Sequence, residues 1–265
     1  MIQHHFMETA IKAAVNAGTV LVEHYGKVRT QQTKESLRDV VTEVDQLSET
    51  AVISVLQSNT PEYGILSEEK GFIGAKTSDF WVVDALDGTI NYIHNIPLFC
   101  VSIAFIKNGK AVVGAIYNPL SEDLYYGAET IGCYKNQHKL AVTPTLLTQS
   151  LTAAAFSGKA LAPQQRHLEY QVFGQVNDAS QGCLRTGSAA MNLAYVAEGK
   201  LGGCWGKANK TWDIEAGLLL AKLAGAEIHE IPIPNHPLIK SYIAAAPTCF
   251  GSLMDLVVPS LSMPQ

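Results

Sequence analysis

Two aspartates, Asp84 and Asp87, close the apolar run Trp81-Val82-Val83 and lead directly into Gly88-Thr89-Ile90-Asn91. An apolar run bounded in this way reads as a buried strand, so its carboxylates are delivered to a strand end where the backbone turns outward. Oxygen ligands of this kind suit a hard cation such as Mg²⁺, and Gly-Thr amides at a helix start suit a phosphate. The same residues are also explained by a strand that ends in an Asp-Gly turn, a common device that requires no ligand. Within this stretch alone both readings stay open.

Other acids stand at comparable places. Tyr63 to Leu66 reads as a short strand running into Ser67-Glu68-Glu69, although adjacent surface acids are commonly just solvated. Thr42-Glu43-Val44-Asp45 precedes a helical stripe (Leu47, Ala51, Val55, Leu56), so Thr42 can cap a helix with Asp45 in its first turn. Thr211-Trp212-Asp213 opens another helix through Ala216, Leu219, Leu220 and Leu223 to Gly225, where the helix dipole favours Asp213 with or without a metal. In Arg185-Thr186-Gly187-Ser188-Ala189-Ala190 the small residues allow a ligand to approach the backbone, and equally allow helices to pack closely.

The elements that must hold these groups alternate along the chain. A packing helix is expected from Met7 to Tyr25, ending at Gly26, and then a polar loop or hairpin from Lys27 to Asp39 that could close over a site. Asn108-Gly109 between two apolar runs signals a hairpin, and Asp123 to Ala128 with Cys133-Tyr134 continues an antiparallel meander. Further strands are expected at Leu151 to Phe156, Gln181 to Leu184, Gly203 to Trp205, Ile228 to Ile233 and Tyr242 to Ala246. Helices are expected at Gln164 to Val176, at Ser188 to Glu198 with Ser188 as cap and Gly199 as stop, and at Leu253 to Val258, with a loop carrying Lys207, Asn209 and Lys210. No internal repeat is seen, and Pro144 to Ser150 is the best internal boundary, dividing one domain over 1–265 into an α+β half (1–147) and an α/β half (148–265).

With 265 residues, 47% of them hydrophobic and only 16% charged, the chain can bury a large core, which excludes disorder. A formal net charge of -5 with scattered basic residues gives no nucleic-acid footprint. The five cysteines are widely spaced and lack a C-x-x-C pair, which argues against disulfides or zinc and for a reducing, cytoplasmic compartment. No basic leader with an apolar segment and no run long enough for a membrane span is present, so a soluble protein without membrane partners is expected.

Five segments, in order, resemble the inositol monophosphatase family of Mg²⁺-dependent, lithium-sensitive phosphatases. They are Val41-Thr42-Glu43-Val44-Asp45, Ser67-Glu68-Glu69, Asp84-Ala85-Leu86-Asp87-Gly88-Thr89-Ile90-Asn91, Arg185-Thr186-Gly187-Ser188-Ala189-Ala190 and Thr211-Trp212-Asp213-Ile214-Glu215-Ala216-Gly217. Their number and order make the joint signal specific where Asp-Gly-Thr alone is weak. The resemblance implies an α/β (α+β) fold, a layered αβαβα sandwich assembled as a homodimer. It implies a phosphomonoesterase acting on an inositol-1-phosphate-like polyol or sugar phosphate by in-line attack of a metal-activated water. It also implies metal ligands at Glu68, Asp84, Asp87 and Asp213 and the Leu86 carbonyl, holding two or three Mg²⁺. Glu68, Thr89 and Asp45 are implied as the catalytic group. Substrate contacts are implied at Asp87, Gly88, Thr89, Gly187, Ser188, Ala189 and Asp213.

Two departures stand out. Ala85 replaces the family's proline, and Gly206 stands where inositol-specific members carry an acid. The same chemistry on a nucleotide or sugar bisphosphate, approached by Lys207, Asn209 and Lys210, is therefore an alternative, although loop lysines are commonly idle. A dimeric regulatory module of the transcription machinery is a second alternative. A haloacid-dehalogenase phosphatase is excluded because its Asp-x-Asp would need an acid at Ala85, and an EF-hand loop because Leu86 takes a ligand position.

Overall fold

The computed structural model describes residues 2–28, 31–33, 40–75, 77–156 and 163–261. In chain order these form α1 (Ile2–His24), β1 (Gln31–Thr33), β2 (Val40–Thr42), α2 (Glu43–Asn59), β3 (Gly64–Ser67), β4 (Gly71–Ile73), β5 (Phe80–Asp87) and α3 (Thr89–Ile93). The meander β6 (Cys100–Lys107), β7 (Lys110–Asn118), β8 (Asp123–Ala128), β9 (Gly132–Lys135) and β10 (His138–Lys139) follows. The second half runs β11 (Leu151–Ala155), α4 (Pro163–Ala179), β12 (Gly182–Leu184), α5 (Ala189–Glu198), β13 (Gly203–Lys210), α6 (Thr211–Leu223), β14 (Glu227–Ile233), β15 (His236–Ala245) and α7 (Pro247–Leu261).

Besides the small β1-β2 pair, two large sheets result among the described residues, an eight-stranded one in the order β10-β9-β8-β7-β6-β5-β3-β4 and a five-stranded one in the order β12-β11-β13-β15-β14. Their central strands are apolar on both faces, which is why they read as continuous hydrophobic runs. Alternation then divides each strand between two cores. In β5 and β6, Trp81, Val83, Val101, Ile103 and Phe105 face α1 and α2, whereas Val82, Ala104 and Ile106 face α5 and α6. In β13 and β15, Cys204, Tyr242 and Ala244 face α5 and α6 from the other side, and Trp205, Ile243 and Ala245 face α4 and α7. The layers are therefore αβαβα, with α5 and α6 as the filling.

Close layer contacts need small residues. A Cβ on Gly217 of α6 would lie 2.5 Å from Leu193 Cβ of α5, and one on Gly114 of β7 would lie 3.1 Å from the Ala216 carbonyl oxygen. Gly18 of α1 likewise makes room for the Tyr117 ring, 2.5 Å from where its Cβ would stand.

Asn108 and Gly109 both take positive φ, 51° and 76°, as the tight β6–β7 hairpin requires. Of the expected loop or hairpin at Lys27 to Asp39, residues 31–33 form β1, paired antiparallel with β2, while 29–30 and 34–39 lie outside the described residues. Two expectations are corrected. Residues 207–210 are not a loop; they continue β13, with an irregularity between Gly206 and Asn209 where Ala208 takes φ 53°. The inward face of α2 carries Val44, Asp45, Ser48, Glu49, Val52 and Leu56, and Leu47 is exposed. Three of those inward residues are polar, which is why an apolar stripe misplaces the face.

Candidate active site

Sheet register brings the first acids together. β3 runs parallel to β5 with Ser67 opposite Val83, so Glu68 leaves the sheet beside Asp84, and the Glu68 N–H donates to the Val83 carbonyl at 3.3 Å. Across β5, Asp84 is paired with Ser102 of β6, whose hydroxyl donates to the Trp212 carbonyl at 3.2 Å and so fixes the first turn of α6. That turn carries Asp213. One carboxylate oxygen from each of Glu68, Asp84 and Asp213 lies within 4.8 Å of the other two.

Burial raises the Asp84 carboxyl well above the ordinary carboxylate range, and the negative charges of Glu68, Asp87 and Asp213 push it further; the Leu86 N–H, donating to its Oδ1 at 2.9 Å, works in the opposite direction. Asp213 is raised well above that range by burial first and then by Glu68 and Asp87, with relief from the Lys210 N–H and charge. Lys210 lies over the Trp212 ring, 5.4 Å from its centroid, at the mouth of the same turn. Crowded carboxylates in a sheltered site, with one lysine nearby, need a cation to be ionised together. The all-oxygen donor set fits a hard divalent ion.

Asp87 lies outside the group of three. Its Oδ2 accepts the Ser188 hydroxyl at 2.5 Å and the Ala190 N–H at 2.8 Å, at the N-terminal end of α5. Burial raises this carboxyl to about 6 against those hydrogen bonds. Ser188 also caps α5, accepting the Met191 N–H at 3.1 Å, so one residue ties the helix end to the acid. Gly187, with φ 88°, passes the Asn91 amide, and its Cβ would lie 2.9 Å from Asn91 Nδ2. Asn91 in turn donates to the carbonyls of Leu98 (2.7 Å) and Thr186 (2.8 Å), joining the Asp-Gly-Thr-x-Asn segment to the Gly-Ser-Ala-Ala segment.

Gly88 takes φ 99° at the start of α3, and a Cβ there would lie 3.0 Å from the Leu98 carbonyl oxygen. Thr89 Oγ1 lies 3.1 Å from both Asp45 Oδ1 and the Leu86 carbonyl oxygen. The Asp45 carboxylate is held from its other side by the Thr42 N–H at 2.8 Å and hydroxyl at 2.5 Å, and burial raises its pKa against these bonds.

The three residues around Gly206 lie otherwise than a flexible loop suggests. Lys207 is buried, and its Nζ donates to the Ser260 carbonyl of α7 at 2.9 Å, so it is not a substrate contact. Asn209 is buried as well, and its Oδ1 lies 2.0 Å from where a Gly206 Cβ would be, with the Tyr242 ring 2.6 Å from that point. The glycine is thus demanded by the neighbouring amide. Only Lys210 stays near the acids.

The model of the inositol monophosphatase family matches residues 2–258. The chain belongs to the inositol monophosphatase family. This inositol monophosphatase-family phosphomonoesterase is similar to the Pasteurella multocida protein named Nus factor SuhB, at 34% identity over 97% of both chains. It is equally similar, at 34% identity over 83% of both chains, to an Aquifex aeolicus protein named fructose-1,6-bisphosphatase/inositol-1-monophosphatase. Among solved structures, the inositol monophosphatase from Anabaena (Nostoc) superposes with a TM-score of 0.83 at 30% identity, covering 98% of this chain and 97% of the other. The family is metal-dependent, in keeping with the acidic cluster. No helix among the described residues is long and apolar enough to cross a membrane.

Ser48 and Glu49, which the sequence presents only as polar positions on a helix, prove to contact the backbone on either side of the acids. Ser48 Oγ donates to the Ala85 carbonyl at 2.9 Å, and Glu49 Oε1 accepts the Glu69 N–H at 3.0 Å. No local motif announces such cross-element contacts.

Proposed function

We propose that this phosphatase hydrolyses a small phosphorylated polyol or sugar with Mg²⁺ as cofactor, two or three ions per site. The observation that carries the reading is the convergence of Glu68, Asp84 and Asp213 within 4.8 Å, next to the Asp45–Thr89 pair. Glu68, Asp84, Asp87, Asp213 and the Leu86 carbonyl would hold the metal, and the bound ions supply charge neutralisation at the phosphoryl group and a more acidic water. Thr89 Oγ1 takes a proton from the attacking water as its own hydroxyl proton passes to Asp45 Oδ1, and Glu68 orients that water. The Gly88 and Thr89 amides and the Gly187-Ser188-Ala189 segment receive phosphate and the leaving group. Asp87, anchored on α5, links these two parts.

The leaving-group end is neutral where an acid would pair polyol hydroxyls, because Gly206 and Asn209 share that space. Sites built to pair a substrate hydroxyl discriminate strongly by leaving buried groups unpaired when it is missing. Inositol 1-phosphate is therefore accepted but not preferred over sugar bisphosphates or nucleotide phosphates, whose added charge Lys210 faces. Phosphate release from a panel of monoesters, with and without Mg²⁺ and compared by kcat/KM, tests both parts. Release independent of Mg²⁺ overturns the metal assignment, and a clear preference for inositol 1-phosphate overturns the substrate assignment.

The name Nus factor carried by a relative keeps a second reading, a homodimeric binding module of the transcription machinery. The same assay separates the two, since a module without turnover releases no phosphate. All five cysteines are free and buried, which suits the cytoplasm.

A further inference from the structure

Asp45, Ser48 and Glu49 share one face of α2 by their i, i+3, i+4 spacing, and all three are buried, at 5%, 0% and 1% exposure. Polar groups on the inward face of a helix are costly unless something pairs with them. Here each reaches a different segment of the acidic site. Asp45 accepts the Thr89 hydroxyl at 3.1 Å. Ser48 departs from the usual habit of a helical serine, which is to bond its own preceding turn, and donates across to the Ala85 carbonyl, between Asp84 and Leu86, at 2.9 Å. Glu49 Oε1 accepts two consecutive backbone N–H groups, Glu69 at 3.0 Å and Lys70 at 3.3 Å, in the turn that carries Glu68. Lys70 partly balances the carboxylate, its Nζ 3.8 Å from Glu49 Oε2 and donating to Thr50 Oγ1 at 2.9 Å.

We infer that Ser48 and Glu49 are positioning residues that set the cation affinity of the site by clamping the backbone of the Asp84–Leu86 segment and of the Glu68 turn to one rigid helix. Glu68 sits on a tight turn between β3 and β4, and without the Glu49 acceptor two consecutive backbone amides, Glu69 and Lys70, lose their partner and the turn can shift. The strand segment at Ala85 depends similarly on Ser48, the more so because alanine, unlike proline, does not fix φ there. The carboxylate of Glu49 acts through hydrogen bonds it accepts, so its charge is dispensable and its oxygen is not. This inference rests on the divalent-metal reading above.

The test is Mg²⁺ and Mn²⁺ binding to the metal-free protein by calorimetry, with metal-free melting temperature and the Mg²⁺ activation curve of phosphate release alongside. Glu49→Met, close in volume but without an acceptor, is expected to weaken binding about ten-fold or more, as lost supporting hydrogen bonds to metal ligands commonly do. Its kcat recovers at saturating Mg²⁺. Glu49→Gln, which keeps the acceptor, restores binding towards wild type, and Ser48→Ala weakens it in the same direction as Glu49→Met. A lower melting temperature with unchanged metal dissociation constants in Glu49→Met and Ser48→Ala assigns them a purely structural role and overturns the inference. Loss in Glu49→Gln as large as in Glu49→Met also overturns it, since charge would then be the cause. If Glu49→Met does not fold, Ser48→Ala decides, and binding equal to wild type overturns the inference. Wild-type protein that binds neither ion removes the metal reading itself, an outcome distinct from all of these.

Discussion

At Asp84 and Asp213 burial and the acidic neighbours both oppose ionisation. Asp84→Asn or Asp213→Asn is expected to abolish Mg²⁺-dependent phosphate release while leaving the metal-free melting temperature equal or higher, since each removes a repelling charge without making a cavity. Wild-type rates in either variant would take that residue out of the site. The same conflict sets a pH dependence. A carboxyl with a folded pKa above its unfolded value holds its proton more tightly when folded, so its contribution is fully present at low pH and is lost as pH rises towards the folded pKa. For Asp87 that loss is complete just above about 6. Between about pH 5 and pH 7.5, metal-free wild type should therefore lose more melting temperature than Asp84→Asn does, and added Mg²⁺ should restore more of it at the higher pH, where protons no longer compete for the ligands. Equal losses in the two proteins would contradict the assignment. Gly206 sets a different limit. Gly206→Glu alone cannot install an acid, because Asn209 Oδ1 and the Tyr242 ring already occupy the space. It should destabilise the fold by about 1–3 kcal/mol, as overpacking does, and the gain for inositol 1-phosphate should appear only when Asn209→Ala is added. Thermal melts and the substrate panel on the single and double variants check this.

The helices around the site divide the labour, and their packing distances carry through to the acids. α6 delivers Asp213 and α5 anchors Asp87, and the two approach closely because Gly217 faces Leu193. Gly217→Ala is expected to push them apart, costing about 1–3 kcal/mol and raising the Mg²⁺ concentration needed for half activity, measured by melts and a Mg²⁺ titration. An unchanged titration would mean that the helices hold the ligands independently of their spacing. Element by element, the sequence was most legible where the signal is local. Asn108-Gly109, the Ser188 cap with the Gly199 stop, and the acids at the ends of β3 and β5 need only neighbours in the chain to be read. It was least legible where the decisive partner is remote. Lys207 looks like a loop lysine until the Ser260 carbonyl of α7 is seen to accept its hydrogen bond, and the polar run to Lys210 pairs as a strand only because β15 lies alongside it. Ser48 and Glu49 go unmarked for the same reason, and Leu47 reads as core, since the backbone groups that call for polar residues lie in β3–β4 and β5.

At the scale of the whole molecule, the acidic site lies on the seam between two sheets. Glu68 directly follows β3 and Asp84 lies within β5, both of the eight-stranded sheet, whereas Asp213 lies in the first turn of the helix that follows β13 of the five-stranded one. The layer between them is made of α5 and α6, whose buried small residues, Ala190, Ala194, Ala197, Ala216 and Ala221, pack closely but offer little side-chain area each. Fully burying a larger aliphatic or aromatic side chain contributes about 1.5–3 kcal/mol; Met191, Leu193, Ile214 and Leu220 supply some of this in the middle layer, and the large aromatics Phe6, Trp81 and Phe105 supply it in the outer core. A cation bound by carboxylates from both sheets therefore adds a cross-link at the seam and removes the mutual repulsion of its ligands at once. Ligand linkage gives the size, about 2.7 kcal/mol at a free Mg²⁺ concentration one hundred times the dissociation constant. Calorimetric melts across a Mg²⁺ series should show the melting temperature rising with the logarithm of concentration once the site is filled, in a single transition. Asp84→Asn, on one sheet, and Asp213→Asn, after the other, should each remove most of that rise, because either change opens the bridge. A rise that survives in Asp213→Asn but not in Asp84→Asn would place the stabilising ion wholly on the eight-stranded sheet, and the seam would then be held by packing alone.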